Sequence, residues 1–241
     1  MDLISILIRT YNSETTVIQT LISALQQSYS RKEILIYDDG STDNTIKVIK
    51  EYIKNSKKTK SGIRIISSKE NKGCAYAHNT LVKESKGKFF YTLDSDDRFS
   101  NNTVLYSLHD AMGNYDFVYG NLLLTKDGYI LGSWLYPEYD ILKIPKMILE
   151  RNGSGVIPFN HGLHRKTFWT KHRLRMELEV GEDTLACIKA CERGIRMKHI
   201  DIYTILYSYN NGISVSYKRG ENLLKIVKYL KKRLDNDTLT I

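Results

Sequence analysis

Phe89-Phe90-Tyr91-Thr92-Leu93-Asp94-Ser95-Asp96-Asp97 joins an apolar, aromatic and β-branched run to three carboxylates within four residues. The run predicts a buried strand. Its acidic end has no packing rationale, because clustered carboxylates repel one another and resist desolvation. A divalent cation with a polyanion accounts for the cluster. Mg2+ or Mn2+ prefers carboxylate oxygens, and such ions hold phosphates through one or two carboxylates. The competing account is a solvated acidic turn, with Asp97 or Ser100 capping the next helix. Position favours the site, since ligands of open α/β sheets gather at the carboxyl ends of strands.

Working outward, residues 3–8 form a continuous apolar run, the pattern of a parallel strand buried on both faces, and the run stops at Arg9-Thr10-Tyr11-Asn12-Ser13. Val17, Leu21, Ala24 and Leu25 recur at helical spacing over 14–27, with Ser13 as candidate N-cap. A second strand at 33–37 ends in Asp38-Asp39-Gly40-Ser41-Thr42-Asp43, and a helix follows from Asn44 with Ile46, Ile49, Tyr52 and Ile53 on one face. After a basic connection at 54–60 come a strand at 63–67, Asn71-Lys72-Gly73, and a helix at 74–84. This alternation is that of a parallel α/β sheet with right-handed crossovers. Beyond Asp97 the pattern is mixed: a helix near 103–112, then short strands at Phe117-Val118-Tyr119, Leu122-Leu123-Leu124 and Tyr129-Ile130-Leu131. Lys126-Asp127-Gly128 makes the last two a hairpin. The stretch 221–234 reads as a basic amphipathic helix with Leu223, Leu224, Val227, Leu230 and Leu234 on one side. It is expected to dock on the domain's own core, with membrane contact the alternative.

With 241 residues and 41% hydrophobic content, the chain suits one large domain at 1–218 (halves 1–100 and 101–218) with a helical appendage at 219–241. The net charge of +9 suits anionic substrates, an anionic membrane surface or nucleic acid. Nucleic acid is disfavoured, because no groove-reading basic helix or aromatic RNA motif accompanies the charge. Cys74, Cys187 and Cys191 lack metal-finger spacing, and the last two, four apart, read as small core residues on one helix face. They point to a reduced, cytoplasmic setting. The N-terminus lacks a basic lead-in and reads as a strand. A homodimer and peripheral contact with an anionic membrane at its inner face stay open.

Four pieces stand in order at strand or helix ends: Thr10-Tyr11-Asn12, Asp38-Asp39-Gly40-Ser41-Thr42-Asp43, Asn71-Lys72-Gly73 and Asp94-Ser95-Asp96. Together they resemble the nucleotide-sugar-binding half of the family 2 glycosyltransferases. The likeness extends through Glu182-Asp183 to Tyr207-Ser208-Tyr209 and Ser214-Val215-Ser216. The resemblance implies a GT-A fold: a Rossmann-like, mostly parallel sheet flanked by helices, with a mixed acceptor-side half. It implies an inverting, metal-dependent enzyme that moves a sugar from a nucleotide donor, a UDP-sugar, to a hydroxyl of a glycan, glycolipid or glycoprotein, some acceptors being lipid-linked. By the same resemblance Thr10, Tyr11 and Glu14 surround base and ribose, Asp39 accepts a hydrogen bond from the base, and Lys72 lies near the phosphates. Asp38 would brace the turn, with Thr42 or Asp43 capping the helix. Asp94 and Ser95 face the donor, and Asp96 holds Mn2+ or Mg2+. Asp183 would be the general base, with Glu182 orienting it or the acceptor. Each residue also has a structural alternative: a turn for Asn71-Lys72-Gly73, and dipole-favoured carboxylates for Glu182-Asp183.

Arg9 stands where many such relatives carry proline, an exchange expected to alter the strand exit. A late histidine, a metal ligand in several relatives, is lacking at Tyr209-Asn210-Asn211, and His199 is expected to be structural. His161 and His164 are expected in an ordinary surface loop, and Tyr129, Trp134, Tyr136 and Tyr139 mainly in packing. A degenerate nucleotide-sugar-binding scaffold is the non-enzyme alternative, but it predicts loss of Asp96 or Asp183. A sugar-phosphate nucleotidyltransferase predicts a glycine-rich loop after the first strand, and Arg9-Thr10-Tyr11-Asn12-Ser13 has no glycine.

Overall fold

The computed structural model describes residues 1–56, 62–151, 156–178, 181–209 and 219–235. Asn210, Asn211 and Ser214-Val215-Ser216 lie outside the described residues, as do 57–60 of the basic connection. The first four strands are β1 (Ile4–Thr10), β2 (Lys32–Asp38), β3 (Ile63–Ser67) and β4 (Phe89–Asp94). They pair in parallel in the order β3-β2-β1-β4. Helices α1 (Val17–Leu25), α2 (Thr45–Asn55) and α3 (Cys74–Glu84) make the crossovers. Every residue of β1 is buried, and its two faces feed two cores. Ile4, Ile6 and Ile8 pack with Ile34, Ile36, Tyr91 and Leu93, whereas Leu7 packs with Leu35, Phe90 and Phe117. This is the period-2 alternation of a strand buried on both sides.

The register sets the site. Thr10 pairs with Asp38, and Arg9 with Asp94, so the carboxyl ends of β2, β1 and β4 present polar residues side by side. After β5 (Arg98–Phe99) and α4 (Val104–Asp110) the sheet continues with β6 (Phe117–Lys126) and β7 (Tyr129–Trp134). The expected hairpin is present, but its first arm is one ten-residue strand that absorbs both short runs. Helix α5 (Ile144–Glu150), strand β8 (Gly162–Arg165), helices α6 (Lys166–Lys171) and α7 (Glu182–Glu192), and strand β9 (Met197–Ser208) complete this half. Strand β8 runs antiparallel between β4 and β6, while β9 lies parallel to β6.

Strand β8 overturns the surface-loop expectation for two histidines. His161 is 6% exposed and His164 1%. Gly162 makes the insertion feasible, because a Cβ there would lie 2.3 Å from the Phe117 ring. His164 stacks on Phe117 and Phe90, bonds the Phe159 carbonyl through Nε2, and accepts from Trp169 Nε1 through Nδ1. It is a core residue. His199 lies near the start of β9 and bonds Asn121 Oδ1, which is structural as expected. Cys187 and Cys191 are buried on α7, also as expected.

Helix α8 (Arg219–Asp235) docks on the domain, with Ile226 and Leu230 buried and the Tyr229 hydroxyl donating to Glu192. Its buried face differs from the expected stripe, since Leu224 is 58% exposed. The Tyr229 anchor rotates Ile226 toward Gly181, where a Cβ would lie 3.0 Å from Ile226 Cδ1. The side chains of Leu223 and Leu234 lie outside the described residues.

Candidate active site

Two loops at the strand ends are bolted together. Asn12, held at φ 47°, accepts the Thr42 N–H through Oδ1, and its own N–H donates to Ser41 Oγ. Glu14 Oε2 accepts the Asn44 N–H at 2.9 Å, while the Glu14 N–H donates to Asp43 Oδ2 at 3.1 Å. Asp43 also accepts the Thr45 N–H, but the N-cap position of α2 falls to Asn44 rather than to Thr42 or Asp43. Ser13 is not the N-cap of α1. Thr16 takes that position, and the Ser13 hydroxyl bonds Ser95 Oγ at 2.8 Å instead. These links make the Tyr11–Glu14 turn an extension of the acidic turn.

Asp39, not Asp38, braces the neighbouring loop. Its two carboxylate oxygens accept the Lys72 and Gly73 N–H groups, each at 2.8 Å. A carboxylate offers about four lone-pair positions, so Asp39 keeps capacity for a further donor. Asp38 is buried with Oδ1 lacking a hydrogen-bond partner. Thr10 is likewise buried with an unpartnered Oγ1, whereas Tyr11 is 45% exposed. Lys72 Nζ lies 5.1 Å over the Tyr76 ring, beside a cleft of about 280 Å3 that Asn79, Met176 and Glu177 also line.

Gly40 holds the two loops at their closest approach, with φ at +75° and a hypothetical Cβ 2.7 Å from the Glu70 carbonyl carbon. Gly40→Ala is therefore expected to cost at least about 1 kcal/mol. At roughly 2–4 °C per kcal/mol for a chain of this size, a thermal melt should show that loss. Displacement of the 70–73 backbone should also disturb the Lys72 and Gly73 amides that Asp39 holds.

At the end of β4, Arg9 donates to Asp94 Oδ1 from Nε at 2.9 Å and from Nη2 at 2.5 Å. Its Nη1 donates to Glu182 Oε1 at 3.1 Å. Arg9 therefore does more than alter the strand exit. Burial opposes the Asp94 charge, but the Arg9 guanidinium holds its carboxyl below the usual range. Asp96 is exposed at the mouth, and loss of hydration in the crowded turn, then Asp94's charge, push its carboxyl up to about 6. Asp97 is 1% exposed, and its Oδ1 accepts the Ser208 N–H at 2.8 Å. Its Oδ2 has no hydrogen-bond partner and lies 3.7 Å from His161 Nε2. Burial, then Asp96 and Asp94, push its carboxyl well above the usual range. His161 has an unpartnered Nδ1, and burial lowers its pKa to about 4, leaving a neutral imidazole.

Among the described residues, the group that could hold a metal is Asp94, Asp97 and His161, whose ligand atoms lie within 4.8 Å of one another. The unpartnered Asp97 Oδ2 and a neutral imidazole with an unpartnered ring nitrogen suit a divalent cation. Asp96, expected as the metal ligand, is not in that group. Asp97 was legible as a neighbour of the motif: its N–H donates to the Asp94 carbonyl, and this tight turn returns both side chains to one place. His161 carried no local signal, because only sheet pairing brings β8 beside β4.

The opposite wall is the start of α7, entered through Gly181 at φ 75°. Glu182 is buried on Arg9. Asp183 accepts the Thr184 N–H at 2.8 Å, and burial followed by Glu182's charge pushes its carboxyl up to about 6. The Cys74 thiol lies beside Glu182, and burial, then that carboxylate, raise it to about 12. The two carboxylates that open α7 thus differ: one is held by a cation, the other has no ion pair among the described residues.

A parallel half with polar residues at its strand ends, continued by a mixed half that returns acidic residues to the same edge, is the GT-A architecture of glycosyltransferases. The model of the family described as glycosyl transferase family 2 matches residues 5–170, and the chain belongs to that family. It is 30% identical, over 96% of its own length and 86% of the relative's, to the Escherichia coli UDP-Glc:alpha-D-GlcNAc-diphosphoundecaprenol beta-1,3-glucosyltransferase WfaP. Its fold matches S. aureus TarS 1–349 in complex with UDP-GlcNAc, with a TM-score of 0.76 at 20% identity over 95% of this chain. It also matches the mannosyltransferase PcManGT from Pyrobaculum calidifontis in complex with GDP-Man and Mn2+, with a TM-score of 0.70 at 14% identity over 95% of this chain. The chain spans 65% and 64% of those two chains. Among the described residues, no helix is long and apolar enough to cross a membrane.

Proposed function

We propose that the protein is an inverting transferase that moves a hexosyl or N-acetylhexosaminyl group from a UDP-sugar to a sugar hydroxyl, the acceptor being carried on a lipid diphosphate. The carrying observation is the asymmetry at the start of α7. Asp183 is a carboxylate without an ion pair among the described residues and with a raised proton affinity, while Glu182 is committed to Arg9. A general base near the working pH both accepts a proton readily and is present in its basic form. Asp183 takes the acceptor's proton as the oxygen attacks the anomeric carbon from the face opposite the departing diphosphate, which inverts that carbon.

Donor binding falls to the other wall. Tyr11 offers an exposed ring for stacking on the base, Asp39 retains acceptor capacity for a base N–H, and Thr10 offers its unpartnered hydroxyl. Ser95 and Glu14 hold the turn that these residues share, and Lys72 sits at the phosphate side. Asp94, Asp97 and His161 would hold the cation, Mn2+ or Mg2+, with Asp96 at the mouth. Such an ion supplies Lewis-acid stabilisation of the charge on the departing nucleoside diphosphate. The lipid-linked acceptor is supported by what the E. coli relative's name states it acts on.

The test is a calorimetric titration of UDP with and without Mn2+, followed by transfer assays from UDP-glucose and UDP-N-acetylglucosamine to a GlcNAc-diphospho-lipid. Metal-dependent UDP binding and formation of an inverted linkage are expected. Binding of another nucleoside diphosphate in preference would change the donor, and absence of nucleotide binding would reduce the chain to a scaffold.

A further inference from the structure

Arg9 is the only buried lysine or arginine among the described residues. It lies among Asp94, Asp96, Asp97, Glu182 and Asp183, and its charge acts on four of these carboxyls: Asp94, Asp96, Asp97 and Asp183. Three of its N–H groups are used in one plane: Nε and Nη2 on Asp94 Oδ1, and Nη1 on Glu182 Oε1. These partners come from opposite walls. Asp94 ends a strand of the donor-side sheet and is register-paired with Arg9, whereas Glu182 opens α7, 173 residues away.

We propose that Arg9 is a positioning residue whose guanidinium locks the donor-side carboxylate Asp94 to the acceptor-side carboxylate Glu182, so that α7 presents Asp183 as the free carboxylate toward the acceptor. This rests on the reading of Asp183 as base. Three physical points support it. First, a buried guanidinium needs anionic partners, and Asp94 and Glu182 supply them from two separate elements. Second, Glu182 and Asp183 are adjacent on α7, so holding one against Arg9 sets the rotation of the first helical turn and the direction of the other. Third, the link is planar and forked, a geometry that lysine does not reproduce, because an ammonium is a point charge on a flexible stem. Proline or any neutral residue at position 9 would leave Glu182 without the tie to β4.

Arg9→Lys keeps the buried charge and is the informative variant, with Arg9→Met as the severe one. For Arg9→Lys we expect kcat to fall by about 10²-fold, the cost of misplacing a reacting group by about 1 Å, with the donor KM within about threefold of wild type. Glu182→Gln should lower kcat similarly, and the double variant Arg9→Lys/Glu182→Gln should be no worse than the poorer single one, because both cut the same link. Multiplicative losses in the double variant, or an Arg9→Lys enzyme within twofold of wild-type kcat, would overturn the proposal. A crystal structure of Arg9→Lys supplies an arm independent of turnover. Displacement of the Glu182 side chain or of the 181–184 turn is expected, and an unmoved Glu182–Asp183 pair overturns the positioning role. If wild type transfers no sugar at all, the functional reading fails, while the crystallographic arm still decides the role of Arg9.

Discussion

Asp183→Asn is expected to lower kcat by about 10²–10⁴-fold, the range attributable to one positioned general base. Metal-dependent UDP affinity should remain as in wild type. Asn keeps an oxygen to accept the Thr184 N–H, so the helix start survives and the loss is chemical. Glu182→Gln removes the charge that ties Glu182 to Arg9 but leaves Asp183 intact, so its loss should sit at the lower end of that range. Full turnover in Asp183→Asn with none in Glu182→Gln would reverse the assignment. The pH dependence follows from the same geometry. The base works when deprotonated, and burial with Glu182's charge raises its pKa to about 6. Activity should therefore be high above neutrality and fall as pH drops through about 6, a limb that Asp96, also pushed to about 6, would steepen. In Asp183→Asn the residual rate should lose the part of this limb that belongs to the base.

The donor-side half was legible because its signals are local. Continuous apolar runs at 3–8 and 33–37 and helical spacing between them suffice to place β1, α1 and β2, and polar clusters mark where the strands stop. The second half depends on pairings between distant segments. Strand β8 is four residues long, with His164 inside it and His161 just before it, so no periodicity distinguishes it from a loop. It becomes central only because Gly162 lets it pass the Phe117 ring. The same limit hid His161 from the metal group and Arg9 from Glu182, since each pair meets only once the sheet has closed. Asp39 shows a subtler limit. Two adjacent aspartates at a strand end are equivalent in sequence, and strand alternation decides which one turns its oxygens to the Lys72 and Gly73 amides. In α8 the helical stripe was readable, but tertiary anchoring through Tyr229 chose Ile226 over Leu224 for burial.

Asp97→Asn is expected to separate stability from donor binding. In protein stripped of metal, Asp97 is a buried carboxyl raised well above the usual range by desolvation and by Asp96 and Asp94. A carboxyl whose folded pKa lies above its unfolded value of roughly 3.9 favours the fold fully below that value. The contribution is lost as pH rises through the folded pKa. Asn mimics the protonated form: its Oδ1 still accepts the Ser208 N–H, and its amide N–H can donate to the neutral His161 imidazole, whose Nε2 lies 3.7 Å from the Asp97 oxygen. The Asn variant should therefore melt several degrees higher than wild type at pH 7–8, with the difference shrinking toward pH 4. UDP binding should move the other way. Removing an anionic ligand from the Asp94, Asp97 and His161 group is expected to weaken Mn2+-dependent UDP affinity by about 10–100-fold, the scale on which residues around a metal act. His161→Ala should do likewise. Asp96→Asn serves as the comparison, because Asp96 is exposed and outside that group. Its effect should be smaller than that of Asp97→Asn if the buried trio carries the ion. The opposite ranking, with Asp96→Asn abolishing metal dependence and Asp97→Asn leaving it, would place the cation at the mouth of the cleft. The buried aspartate would then serve as a brace for the Ser208 amide.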